Sequence, residues 1–101
     1  MSENVMEADM RGKTRAKIVF LVGAGDYEEA EKTTVQALRG ELSNDFFAWH
    51  MRGAFRQLKG FDKHAQEYHE KARNIRPHGY DDIVALGQTY IDMNLYDDCR
   101  G

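Results

Sequence analysis

Cysteine occurs once in the 101 residues, at Cys99, so no internal disulfide can hold the fold together. Proline also occurs once, at Pro77, and β-branched runs are few, which favours helix over sheet. No apolar run approaches the roughly 20 residues that a membrane span needs. The opening MSENVMEADM is too acidic and polar for a signal peptide, so the expected location is the cytoplasm. There is no basic block either, and the formal charge is −3, which leaves nucleic acid and anionic membrane without an electrostatic handle. What remains is ordinary for a helical protein, 42% apolar and 31% charged, in a chain long enough for one domain whose core offsets chain entropy only narrowly.

Residues 1–10 lack any hydrophobic period and are expected to form a flexible N-terminal tail, with the folded domain covering 11–101. The segment KIVFLVGAGD, from Lys17, imitates the first strand and glycine turn of a dinucleotide-binding fold. The fingerprint fails because Glu28 stands where its third glycine belongs and the chain is too short for the sheet. After Gly25, Asp26 is placed to cap a helix whose first turn carries Glu28 and Glu29. Ser43 and Asn44 supply capping side chains for the next helix, with Asp45 in its first turn, and Asp81 or Asp82 opens a last one. Turns are expected near Gly25, Gly40, Gly60 and Pro77 to Gly79.

Between Trp49 and Pro77 two amphipathic patterns meet across Gly60. Trp49, Met51, Phe55 and Leu58 carry one apolar side, and Ala65, Tyr68, Ala72 and Ile75 step by three or four along the other. Gly53 facing Ala65 would let two helix backbones approach closely, so this position reads as the crossing point. The markers Ala30, Ala65 and Cys99 stand 35 and 34 residues apart, and Tyr27, Phe61 and Tyr96 keep nearly the same interval.

With Trp49, Gly53, Ala65, Ala72 and Pro77 in register, the chain resembles the tetratricopeptide repeat family, whose pattern spans roughly 34 residues. Gly25, Tyr27, Ala30, Thr34 and Ala37 match in a first repeat, about 11–42. Leu86, Gly87, Tyr90, Met93, Tyr96 and Cys99 match in a third, 79–101, which is incomplete after the second at 43–78. Arg52 and Arg56 miss the family's Leu and Tyr, and Lys17 and Ile18 hold its Leu-Gly positions in the first repeat. The resemblance implies an all-α fold of antiparallel helix pairs stacked as a short right-handed α-solenoid, a superhelix whose first helices line a concave groove. Carried over, that groove holds Arg15, Val19, His50, Ala54, Gln57, Val84, Gln88 and Ile91, with Arg15 as its charged anchor. A known subclass grips chaperone tails with a carboxylate clamp. Its positions here hold Arg15, Val19, Met51, Asp81 and Ala85, so only Arg15 could serve.

Candidates for chemistry are thin. His64 and His69 do not share a helix face, and no Cys or carboxylate completes a metal set with them, so no metal or other cofactor is expected. The acid pairs Glu28-Glu29, Asp81-Asp82 and Asp97-Asp98 are adjacent and diverge, and Cys99 matches a small packing position. The sequence therefore points away from an enzyme and toward a protein-interaction module that holds a partner peptide in its groove. The alternative is a self-association module: Leu86, Tyr90 and Met93 form a stripe that a following helix would cover, which predicts a homodimer through that face.

Overall fold

The computed structural model describes residues 2–77 and 79–93, with side chains from Met10 onward; Cys99, Tyr96, His78 and the Asp97-Asp98 pair lie outside the described residues. Among the described residues five helices follow one another: α1 (Ser2–Gly23), α2 (Tyr27–Leu38), α3 (Phe46–Leu58), α4 (Asp62–Arg73) and α5 (Tyr80–Asp92). The fold is all-α, and the described residues contain no strand. KIVFLVG is the end of α1. Residues 2–10, expected as a tail, are also part of α1; Glu, Met and Ala are strong helix formers, and acids early in a helix suit its positive end.

The two tight helix hairpins close in the same way. After α1, Gly25 takes φ 81°, its amide donates to Val22 O at 3.0 Å, and Asp26 N donates to Leu21 O at 2.9 Å. After α3, Gly60 takes φ 85°, its amide donates to Gln57 O at 3.1 Å, and Phe61 N donates to Arg56 O at 2.9 Å. Each turn thus satisfies two orphan helix carbonyls through a left-handed residue, which glycine adopts without a Cβ clash. Asp26 caps α2 through Glu29 N, as expected. On α3 the cap is Asp45, whose Oδ2 accepts from Ala48 N at 2.9 Å, in place of the expected Ser43 or Asn44. Asp45 is where the chain leaves extended geometry, so its side chain is the one within reach of the first amides.

The core gathers Ile18 and Val22 of α1, Ala30 and Ala37 of α2, Leu42, and Phe47, Ala48, Met51, Ala54 and Phe55 of α3, all buried, with Met93 closing it. α2 packs between α1 and α3, α4 lies on α3, and α5 rests chiefly against α1 and α3. α5 runs in the same direction as α1, since Arg15 meets Asp82 at one end while Tyr27 Oη, just past α1, donates to the Asp92 carbonyl at the other. Thr89 Oγ1 lies 3.1 Å from Met51 Sδ and ties the same helix to α3.

Candidate functional site

The α3/α4 hairpin is the best-defined surface pair. A Cβ placed on Gly53 would lie 3.0 Å from Ala65 O and 2.8 Å from the His69 ring, so the backbones cross here as the sequence indicated. Because the helices are antiparallel, residues just before Gly53 meet residues just after Ala65. Trp49 stacks on Tyr68 with ring centroids 5.8 Å apart, and Lys71 Nζ sits 4.3 Å over the Trp49 ring. His50 Nδ1 lies 2.9 Å from His69 Nδ1, with the Phe46 ring edge-on to His50 and Tyr90 of α5 edge-on to His69.

One Nδ1 of this pair must donate and the other accept, so the pair is compatible with two neutral rings of opposite tautomer. Burial, the neighbouring His69 and the Arg73 charge push His50 down to about 4. Burial and Arg73 also lower His69, and burial raises the Tyr90 hydroxyl. An open cleft of about 490 Å³ lies beside the pair, lined by Gln57, Asp62, Ala65, Gln66 and His69. Among the described residues no three His, Cys, Asp or Glu side chains converge on a metal position. The chemistry on offer is neutral imidazole, amide and carboxylate at the lip of a cleft, suited to hydrogen-bonding a ligand.

The eight expected groove residues do not come together on one surface. Arg15 is spent inside the protein: Nη1 donates to Asp45 Oδ1 at 2.8 Å, and Nε lies 3.3 Å from Asp82 Oδ1, both carboxylates being almost fully buried. Val19 packs against the core, and Ala54 is completely buried within it. His50 belongs to the histidine pair and Gln57 to the cleft. Val84 and Ile91 face away on the outer side of α5, each more than half exposed, and Gln88 is exposed and donates to Asp92 Oδ1. The reason is α5 itself, which lies along α1 and α3, with Asp82 against Arg15 and Thr89 against Met51. The stripe expected to drive self-association is likewise accounted for within the chain: Leu86 and Tyr90 pack against the core and Met93 is buried.

Sequence reasoning missed a second ionic cluster. Glu31 of α2 accepts from Arg52 Nη1 at 3.0 Å and Arg56 Nη2 at 2.6 Å through Oε2, and from Lys59 Nζ at 2.8 Å through Oε1. Burial alone would raise this carboxyl; hydrogen bonds and charge from Lys59 and Arg56 outweigh it and hold the group below the usual range. The two arginines also lie over aromatic faces, Arg52 at 5.0 Å from Tyr68 and Arg56 at 5.2 Å from Phe61. Arg52 and Arg56 are the residues that break the repeat pattern. Their spacing with Lys59, four and three residues apart on one face of α3, was the available signal.

Comparison with family models, curated proteins and solved structures found no match. No described helix is long and apolar enough to cross a membrane.

Proposed function

We propose that this chain is a protein-interaction module of the helical-repeat type, a tetratricopeptide-like scaffold in the cytoplasm that binds a partner protein and carries out no chemistry of its own. The observation that supports this most is the regular length and spacing of the helices along the chain. α2 and α4 have the same length of 12 residues and begin 35 residues apart, and α3 and α5 share a length of 13 and begin 34 apart. The left-handed glycines that turn the two hairpins stand 35 apart as well. A unit repeated in this way stacks on its neighbours and exposes continuous surface, which serves binding better than it positions a nucleophile. The right-handed solenoid reading makes α1, α3 and α5 the first helices of successive repeats, drawn together at one end by Arg15. The partner surface then lies around the open cleft beside His69 and the outer side of α5, since the expected groove is filled from within.

Intact chain, immobilised and exposed to cell extract, should retain a specific protein, and amide exchange of the complex should slow on α3, α4 or α5. Retention no better than that of a heat-unfolded control, or turnover of a substrate by the isolated chain, would overturn the reading.

A further inference from the structure

The repeat register makes α3 a template for α5. Stepping back 34 residues from Tyr80, Ile83, Val84, Gly87 and Ile91 gives Phe46, Trp49, His50, Gly53 and Gln57, positions on the side of α3 that meets α4. There Trp49 stacks on Tyr68, His50 bonds to His69, and Gly53 admits the α4 backbone. On α5 the corresponding set is more apolar and is open: Tyr80 is 78% exposed, and Ile83, Val84 and Ile91 are each just over half exposed. A Cβ on Gly87 would meet nothing within 4 Å. Together with the covered stripe of Leu86, Thr89 and Met93, this gives α5 two apolar sides, and an apolar side of a helix is one that packs against a neighbour. The open side chains leave roughly 500 Å² uncovered, the size at which a patch marks an interaction surface.

We propose that the outer face of α5 docks an amphipathic helix of a partner protein, antiparallel to α5, with a small residue crossing at Gly87 and basic residues along its rim. Antiparallel orientation and a small crossing residue follow from the way α4 meets α3 at Gly53 and Ala65. The basic rim follows from charge, because the flank of that face carries Asp81 and Asp92 and α5 has no Lys or Arg. That charge argues against a second copy as the occupant, since two α5 helices crossed antiparallel at Gly87 would bring the acids of one end toward those of the other. Docking one helix would bury about 1,000 Å² in total, enough for a specific if modest complex. The proposal rests on the reading of the chain as an interaction module and names the site and the chemistry of its partner.

The test uses the full chain and a labelled synthetic peptide of residues 61–76 carrying Asp62→Lys, Gln66→Lys, Tyr68→Leu and His69→Leu. The peptide keeps Ala65 and Ala72 as small residues, offers leucines to Ile83 and Val84, and makes the rim basic. Saturable binding is expected, at least tenfold weaker in Val84→Glu and in Gly87→Leu, with neither substitution lowering the melting temperature. Restoring Asp62 and Gln66 to the peptide should also weaken binding tenfold or more. Absence of saturable binding overturns the proposal, as does undiminished affinity in Val84→Glu, the result expected if the peptide merely displaced α4 from α3. Light scattering should show a monomer; a dimer that Val84→Glu dissociates would overturn the partner helix in favour of a second copy. Retention of a cell protein by the chain together with failure of the peptide would leave the module reading standing and remove the α5 site alone.

Discussion

The two ionic clusters are mirror images in charge. On one side of the protein a single acid, Glu31, serves three cations; on the other a single cation, Arg15, serves two acids. Their settings differ more than their formulas. Asp45 and Asp82 are 1% and 2% exposed at the side chain, whereas Arg52 and Arg56 keep 22% and Lys59 keeps 50% of theirs. Cations on long stems can turn toward water when their acid is removed, but short buried carboxylates cannot. The Arg15 cluster also joins three helices that are far apart in sequence, while Glu31 joins α2 to the helix that follows it. The two ion pairs of Arg15 should therefore be worth more than the three of Glu31.

Arg15→Ala is the largest expected effect, a loss of about 3 kcal/mol or more in urea unfolding, because a cation is taken from two buried carboxylates. A loss below about 1 kcal/mol would break the comparison. Glu31→Gln should cost less, about 2 kcal/mol, with α2 exchanging its amides faster than α4. Larger damage than Arg15→Ala would mean that the three cations, not the acids, are the trapped charges.

Acid separates both clusters from the histidine pair. His50 and His69 have folded pKa values below their ordinary one, so the unfolded chain binds protons more readily. Their contribution is complete above about pH 6.5 and declines as pH falls toward 4. Glu31, also lowered, begins to lose its contribution only below its ordinary value of 4.5. Stability should thus fall by on the order of 2 kcal/mol between pH 7 and 5, and His50→Leu should flatten most of that slope. An unchanged slope in His50→Leu would assign the loss elsewhere. Smallest is Lys59→Ala, at about 0.5 kcal/mol and sensitive to salt, since half of that side chain lies in solvent. A salt-independent loss would show its stem, and not its charge, to be the contributor.

Much of the local architecture was legible in the sequence. Apolar spacing and four glycine or proline breaks located the helices from α2 onward, and Gly53 opposite Ala65 located a crossing so close that a Cβ on Gly53 would lie 3.0 Å from Ala65 O. The histidine pair was legible in principle: antiparallel helices crossing at 53 and 65 bring 50 near 69. The docking of α5 was not. Its contact with α1 joins residues as far apart in sequence as Arg15 and Asp82, and no local pattern encodes a choice between packing on α1 and extending a groove. That choice also decided the site, because Arg15, expected to hold a ligand, found its carboxylates inside the chain. Arg52 and Arg56 looked like defects in a repeat because the pattern records what stacking needs and is silent about a clamp between neighbouring helices.

Trp49 gives the hairpin its own reporter. It is the one tryptophan in the sequence, stacked on Tyr68, covered by the Lys71 ammonium, with its indole Nε1 donating to Ser43 O at 2.9 Å. Departure of α4 from α3 would remove the tyrosine that feeds it excitation and the cation over its ring, while the indole hydrogen bond lies on the α2–α3 connection and would survive. Emission and tyrosine-to-tryptophan transfer therefore both change when the helices part, and a separate spectral change marks release of the indole from Ser43 O. A single native residue can time both in one stopped-flow trace without a label.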